Sequence, residues 1–215
     1  MAAPTIAGAS TSVTDAVATT SRMITTPTHS AGDRICIACA LSAAATVSIT
    51  DFAEVDIVGV PPSGDVALLY KTAGGSEPAT YTIVTSASVL VTAISWAVNG
   101  AGGAEHARST PATGTSATAT APALTTGQAD TLRISIIAVD DNPGVISVAT
   151  LSGHTLLLTV AALTKPGLSV QYKTLAAAGT DASQTAALSG SEGWLGYSFA
   201  IAATDEVKAT QVGLY

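Results

Sequence analysis

Charge is what this chain has least of. Of 215 residues only 8 are Lys or Arg and 15 are Asp or Glu, 11% in all, for a formal net charge of -7. So few cations on an acidic balance argue against a surface built to neutralise phosphate backbones, so no nucleic-acid partner is expected. Aromatics are equally scarce at 4%. Long apolar runs are missing as well: 47% of residues are hydrophobic, but Ser, Thr, Gly or a charge interrupts every run short of the ~20 residues that span a bilayer as a helix. No membrane segment is expected. The opening Met-Ala-Ala-Pro-Thr-Ile has neither a basic region nor a continuous apolar one, so no secretory signal is expected either. The only cysteines are Cys36 and Cys39. On a strand, positions i and i+3 face opposite ways, which predicts two free thiols, and a lone C-x-x-C without a second pair builds no metal framework.

Chemistry-bearing patterns are also lacking. There is no G-x-S-x-G elbow for a serine nucleophile, and Gly190-Ser191-Glu192-Gly193, the nearest approach, reads as a hairpin turn. His29, His106 and His154 lie far apart without ligand spacing. Asp51, Glu54 and Asp56 cluster, as do Asp140 and Asp141, but at strand ends, where carboxylates are solvated turn residues, and without the D-x-D-x-D-G order of a calcium loop. The sequence therefore points to a protein that is not an enzyme and carries no cofactor.

What is present is Ala, Thr, Ser, Val and Gly, the small and β-branched residues that pack on pleated sheets. The pattern that organises the rest is a repeat. Val66, Leu68, Tyr70 and Thr72 alternate with Ala67, Leu69 and Lys71; about a hundred residues later Leu168, Val170, Tyr172 and Thr174 alternate around Lys173. Each Tyr falls in phase with the apolar face and each Lys with the opposite one, which predicts a core-facing ring beside a solvent-facing charge. Farther on, Leu90, Thr92, Ile94, Trp96 and Val98 are matched by Leu195, Tyr197, Phe199 and Ile201, and Arg34-Ile35 is echoed by Arg133-Ile134. These correspondences run in the same order.

Residues 1–30 read as an N-terminal arm and first strand, or as a floppy terminus. Residues 31–203 read as the folded body, in halves 31–98 and 129–203. Between them, 99–128 reads as a linker or long surface loop, rich in Gly and Pro. Residues 204–215 form a more charged tail. The halves could make two stacked small sandwiches or one sandwich of two matching sheets. The second is preferred, because each half alone has few aromatics to fill its own core. The expected fold is therefore all-β, a jelly-roll-like antiparallel β-sandwich built from two pseudo-repeated halves.

Ala31-Gly32-Asp33 before an alternating strand, the Pro61-Pro62-Ser63-Gly64 turn, and Leu69-Tyr70-Lys71-Thr72-Ala73 followed by Ser76-Glu77-Pro78-Ala79-Thr80-Tyr81-Thr82 carry a resemblance. Over about Gly32 to Ala203 the chain resembles the Thr/Ala/Gly-rich β-sandwich modules in virion proteins of tailed bacteriophages. That resemblance implies a structural protein assembled in the host cytoplasm and displayed on the virion surface. As a capsid decoration, or cement, protein it would bind the major capsid protein as a homo-oligomer, with a trimer suited to threefold positions. Ile6 and Val13 in the arm, with Val207, Val212 and Tyr215 in the tail, are the candidate capsid contacts, through apolar patches and edge-strand addition. The alternative is a tail or receptor-recognition module binding host-surface glycan, in which Trp194, following a turn, stacks on sugar while Trp96 stays in the core.

Overall fold

The structure, a computed structural model, describes residues 2–60, 64–102, 107–140, 147–160 and 166–203, giving only the backbone for 55–60. Among the described residues there is no helix. In the first half the strands are β1 (Thr5–Ile6), β2 (Thr11–Thr14), β3 (Thr19–Thr25), β4 (Arg34–Leu41), β5 (Val47–Ser48), β6 (Ala53–Val60), β7 (Gly64–Thr72), β8 (Thr80–Val89) and β9 (Val91–Asn99). The second half contains β10 (Ala107–Arg108), β11 (Ala112–Ala121), β12 (Leu124–Thr126), β13 (Thr131–Asp140), β14 (Thr155–Val160), β15 (Gly167–Leu175), β16 (Gly179–Asp181) and β17 (Gln184–Ile201).

The antiparallel ladders build two matching central sheets. One runs β1-β9-β4-β7-β6 with β2 also on β9; the other runs β10-β17-β13-β15-β14 with β11 also on β17. They pack face to face over a shared core in which Cys36, Ile94 and Trp96 meet Ile134, Tyr197 and Phe199. Across it β9 lies opposite β14 and β15, while β17 lies opposite β6. Exchanging the halves turns the β9–β14 contact into the β17–β6 contact, so at these edges the two sheets meet as the subunits of an isologous dimer do.

Each central sheet also has an outer face, and a thinner layer covers it. In the first half β3-β8-β5 closes a second core containing Ile24, Ile37, Leu69, Tyr81, Ile83 and Val91. In the second half the start of β17 folds back with β11 over Ile137, Val139 and Leu151. The layers correspond in detail. The Thr46 amide donates to Ser86 Oγ at 3.0 Å and the Ser147 amide to Ser189 Oγ at 3.0 Å. The preference for one sandwich thus holds for the central pair of sheets, but each half also encloses its own core. Ile, Val, Leu and Ala fill most of these thin layers, beside Tyr81 in the first and Trp194 in the second, so few aromatics were needed.

Register shows what the repeat means. Cys36 sits between Tyr70 and Trp96, as Ile134 sits between Tyr172 and Phe199. The paired apolar faces read from the sequence are therefore equivalent. The Arg-Ile echo is not: by the same pairing Arg133 stands where Ile35 does, opposite the repeated lysine. Since a shift of one residue turns a side chain to the other face, Arg34 lies at the end of the shared core, 4.9 Å over the Tyr70 ring, while Arg133 lies on the outer face. The solvent-facing reading of the lysines also needs correction, because the outer layers cover them: the Lys71 and Lys173 side chains are only 16% and 18% exposed.

Two boundaries move as well. The stretch 99–128 contains β10, β11 and β12. Its alternating Thr and Ala, too small to look like a strand, pack because the partner surface comes very close. Gly190-Ser191-Glu192-Gly193 is not a hairpin turn but the bend by which continuous β17 passes from the outer layer into the central sheet. The architecture is an all-β sandwich in which each central sheet draws its described strands from one half. A jelly roll would thread strands between the facing sheets.

Candidate functional site

An extended polar constellation lies under the outer layer of the second half. Arg133 on β13 is wholly buried. Its Nε donates to Ser135 Oγ at 3.2 Å, Nη1 to Asp181 Oδ2 and, at 3.2 Å, to the Ala182 carbonyl. Nη2 donates to the Pro122 carbonyl at 2.7 Å and to Ser198 Oγ at 3.0 Å. A guanidinium has five N–H donors, and all are used. They tie β13 to β17, to β16 and to the approach to β12, which is how a cation comes to occupy the position held by Ile35 in the first half.

Ser135 Oγ lies 3.2 Å from His154 Nε2, the separation of a nucleophile and its base. The same oxygen accepts from Arg133 and lies 3.2 Å from Ser198 Oγ. Its hydrogen-bonding capacity is filled, at a fully buried mid-strand position. The pair anchors the His154 turn rather than presenting a nucleophile. Burial, together with the charges of Arg133 and Lys173, lowers the His154 pKa, with the Ser152 carbonyl acting the other way. Gln171 has a similar anchoring role, accepting from the Leu151 amide at 2.7 Å and donating to the Ala149 carbonyl at 3.1 Å.

The repeated lysines carry equivalent ion pairs. Lys173 Nζ lies 2.7 Å from Asp181 Oδ1, and Lys71 Nζ 2.8 Å from Glu77 Oε2. Burial would raise the Glu77 carboxyl, but hydrogen bonds from Lys71, the Gly74 amide and the Tyr81 hydroxyl, with the lysine charge, hold it at about 2. The Lys71 ammonium also sits 5.8 Å from the Phe52 ring and 5.7 Å from that of Tyr81. Beside each pair opens a polar cleft, about 350 Å³ at Glu77 and about 570 Å³ at Asp181. A third pair, Arg22 Nε to Asp15 Oδ2 at 2.8 Å, ties β3 to the end of β2. These groups bind layer to layer.

The residues expected at an interface have other work. Ile6 on β1 packs on the shared core and Val13 on β2 on the first outer core, both through pairing with β9. The first residues are thus not a free arm but the edge strand of their own sheet. Val207, Val212 and Tyr215 lie outside the described residues. Trp194 is 7% exposed, its indole against Gly114 and its Nε1 donating to Ser116 Oγ at 3.0 Å, so it offers a sugar no ring face. Trp96 is in the core, as expected. The cysteines, neither of them in a disulfide, lie on opposite faces of β4, with burial pushing Cys39 up to about 12.

Exposed apolar side chains concentrate elsewhere. Among the described residues the large ones are Val17 (76% exposed), Met23 (65%), Val84 (45%) and Leu156 (43%). The first three lie in or beside β3 and β8. Phase along β8 held the signal: Tyr81, Ile83 and Thr85 point inward, which turns Val84 out with Thr82 and Ser86. No family model, no curated protein and no solved structure matches the chain.

Proposed function

We propose that the chain is a non-enzymatic structural protein of a tailed-bacteriophage virion, a capsid decoration or cement protein. It sits on the outer shell and bridges neighbouring copies of the major capsid protein against the pressure of packaged DNA. The observation that carries this reading is how the buried charges are employed. Arg22, Lys71, Arg133 and Lys173 are each committed to a carboxylate that joins one layer or strand to another. The outer layers are clad instead in Ser, Thr and Ala. A duplicated body braced across its layers, with neutral outer faces, suits load-bearing contact better than turnover. Assembly in the host cytoplasm agrees with two buried cysteines that form no disulfide. An oligomer matched to the shell's local symmetry, such as a trimer at a threefold position, multiplies weak contacts. The glycan-recognition alternative loses its stacking platform with Trp194 buried.

The test is addition of purified protein to shells that lack it, taken from the phage whose genome encodes the chain. Saturable binding in a fixed ratio to shell protein, with a raised temperature of shell disruption, is expected. Protein that stays in the supernatant, or binds without stabilising the shell, overturns the reading.

A further inference from the structure

We infer that the protein docks through the outer face of β3 and β8 in its first half, and that the occupant is an uncharged, apolar patch on the shell protein. This rests on the decoration reading above.

The two halves control for each other. The matched Ser86 and Ser189 contacts make Val84 equivalent to Ala187 and Thr82 to Thr185. Met23 pairs with Thr82 as Thr120 pairs with Thr185, so Met23 is equivalent to Thr120. The two outer faces therefore share a backbone and a Ser/Thr background. Only the first carries large apolar side chains turned to solvent, at two neighbouring positions, with Val17 in the turn leading into β3. The second half shows that the fold does not require them there.

Charge says what fits. The face carries no ionic group: β8 has none, and the one cation of β3, Arg22, points inward to Asp15. A charged partner would lose its hydration there without gaining a counter-ion. A neutral one loses little, and the unbranched Met23 adapts to its shape.

Area says how it holds. Seven residues of β3 at ~3.3 Å each, across three strands ~4.8 Å apart, cover on the order of 300 Å². A stable one-to-one interface needs about 800 Å² per partner. The face is therefore too small to hold a second copy of this chain in solution. It suffices when several copies engage a repeated lattice together.

The experiment compares two double variants of the full chain, Met23→Lys with Val84→Lys and Thr120→Lys with Ala187→Lys, by co-sedimentation with shells that lack the wild-type protein. Wild type binds, the first pair loses at least tenfold in affinity, and the second stays within twofold, both keeping the wild-type β circular dichroism and melting temperature. The uncharged pair Met23→Gln with Val84→Thr, which spares the fold if lysines do not, is expected to bind more weakly than wild type. Unchanged binding by the first and uncharged pairs, or loss confined to the second half, overturns the assignment while leaving decoration standing. A wild-type dimer that these Met23 and Val84 changes convert to monomer overturns the choice of occupant. Failure of wild type to bind shells removes the decoration reading itself, and this inference with it.

Discussion

Arg133→Ile installs in the second half the residue that the first half uses at the same place. If Arg133 were a tolerated oddity, the change would be mild. The structure says otherwise. The substitution removes five bonds from a charged donor, one to the Asp181 carboxylate and four to neutral oxygens. At about 1 kcal/mol for each bond to a neutral acceptor and ~2 kcal/mol for the bond between two charges, the gross loss is at least ~6 kcal/mol. Burial of the isoleucine returns about 2 kcal/mol, and Asp181 keeps Lys173 at 2.7 Å. The net cost expected is ~3–5 kcal/mol. At roughly 2–4 °C per kcal/mol for a chain of this size, the melting temperature falls by about 6–20 °C. Thermal unfolding at pH 7, followed by near-ultraviolet circular dichroism, reads it directly. A double-mutant cycle adds a second readout, since Asp181→Asn should cost less in the Arg133→Ile background than alone. A loss under about 1 kcal/mol, or an equal cost of Asp181→Asn in both backgrounds, would refute the bracing role.

Acid should find the first half's ion pair. The Glu77 carboxyl is held near 2 when folded against an ordinary value of 4.5, so its contribution is whole above pH 4.5 and is lost as pH falls toward 2. Glu77→Gln should lower stability at pH 7 by about 2 kcal/mol and flatten the melting-temperature profile between pH 5 and pH 2; an unchanged acid limb would count against it. Gly196→Ala is expected to prevent correct folding, because its Cβ would lie 1.8 Å from the Thr120 carbonyl oxygen. Soluble protein with native hydrogen-exchange protection at β11 would contradict that close approach. Deleting residues 2–14 strips β1 and β2 from β9 and uncovers both adjoining cores. The predicted result is a drop of several kcal/mol in urea-unfolding free energy; an unchanged midpoint would mean that the segment is an arm after all.

How much of this was legible in the sequence depended on side-chain size. Tyr70 with Tyr172, and Trp96 with Phe199, are bulky residues in strict alternation, so the central sheets and their equivalence could be read before any coordinates. Strand β11 could not, because its Thr and Ala alternate with too little contrast in hydropathy to separate from a linker. What makes it a strand is the close packing allowed at Gly114 and Gly196, a tertiary fact. The burial of the two lysines is hidden in the sequence for a related reason. Period-2 alternation says that Lys71 and Tyr70 face opposite ways, but not that a second layer covers the far side. Arg34 and Arg133 look equivalent in the sequence but stand one residue out of register, because the two halves have loops of different length, and a one-residue offset in a strand exchanges its faces. At the surface, Trp194 drew attention through its size although Gly114 and Ser116 bury it, while Met23 and Val84 looked ordinary until neighbouring strands placed them together.

We propose, then, a duplicated sandwich that decorates a capsid shell through its first half. The most direct measurement is a cryo-electron microscopy reconstruction of the particle from the phage that encodes the chain. The expected result is density for the sandwich at regular symmetry positions over the whole shell, β3 and β8 turned to the shell surface and β11 turned away. Density confined to the tail, or a shell without the protein, would contradict it.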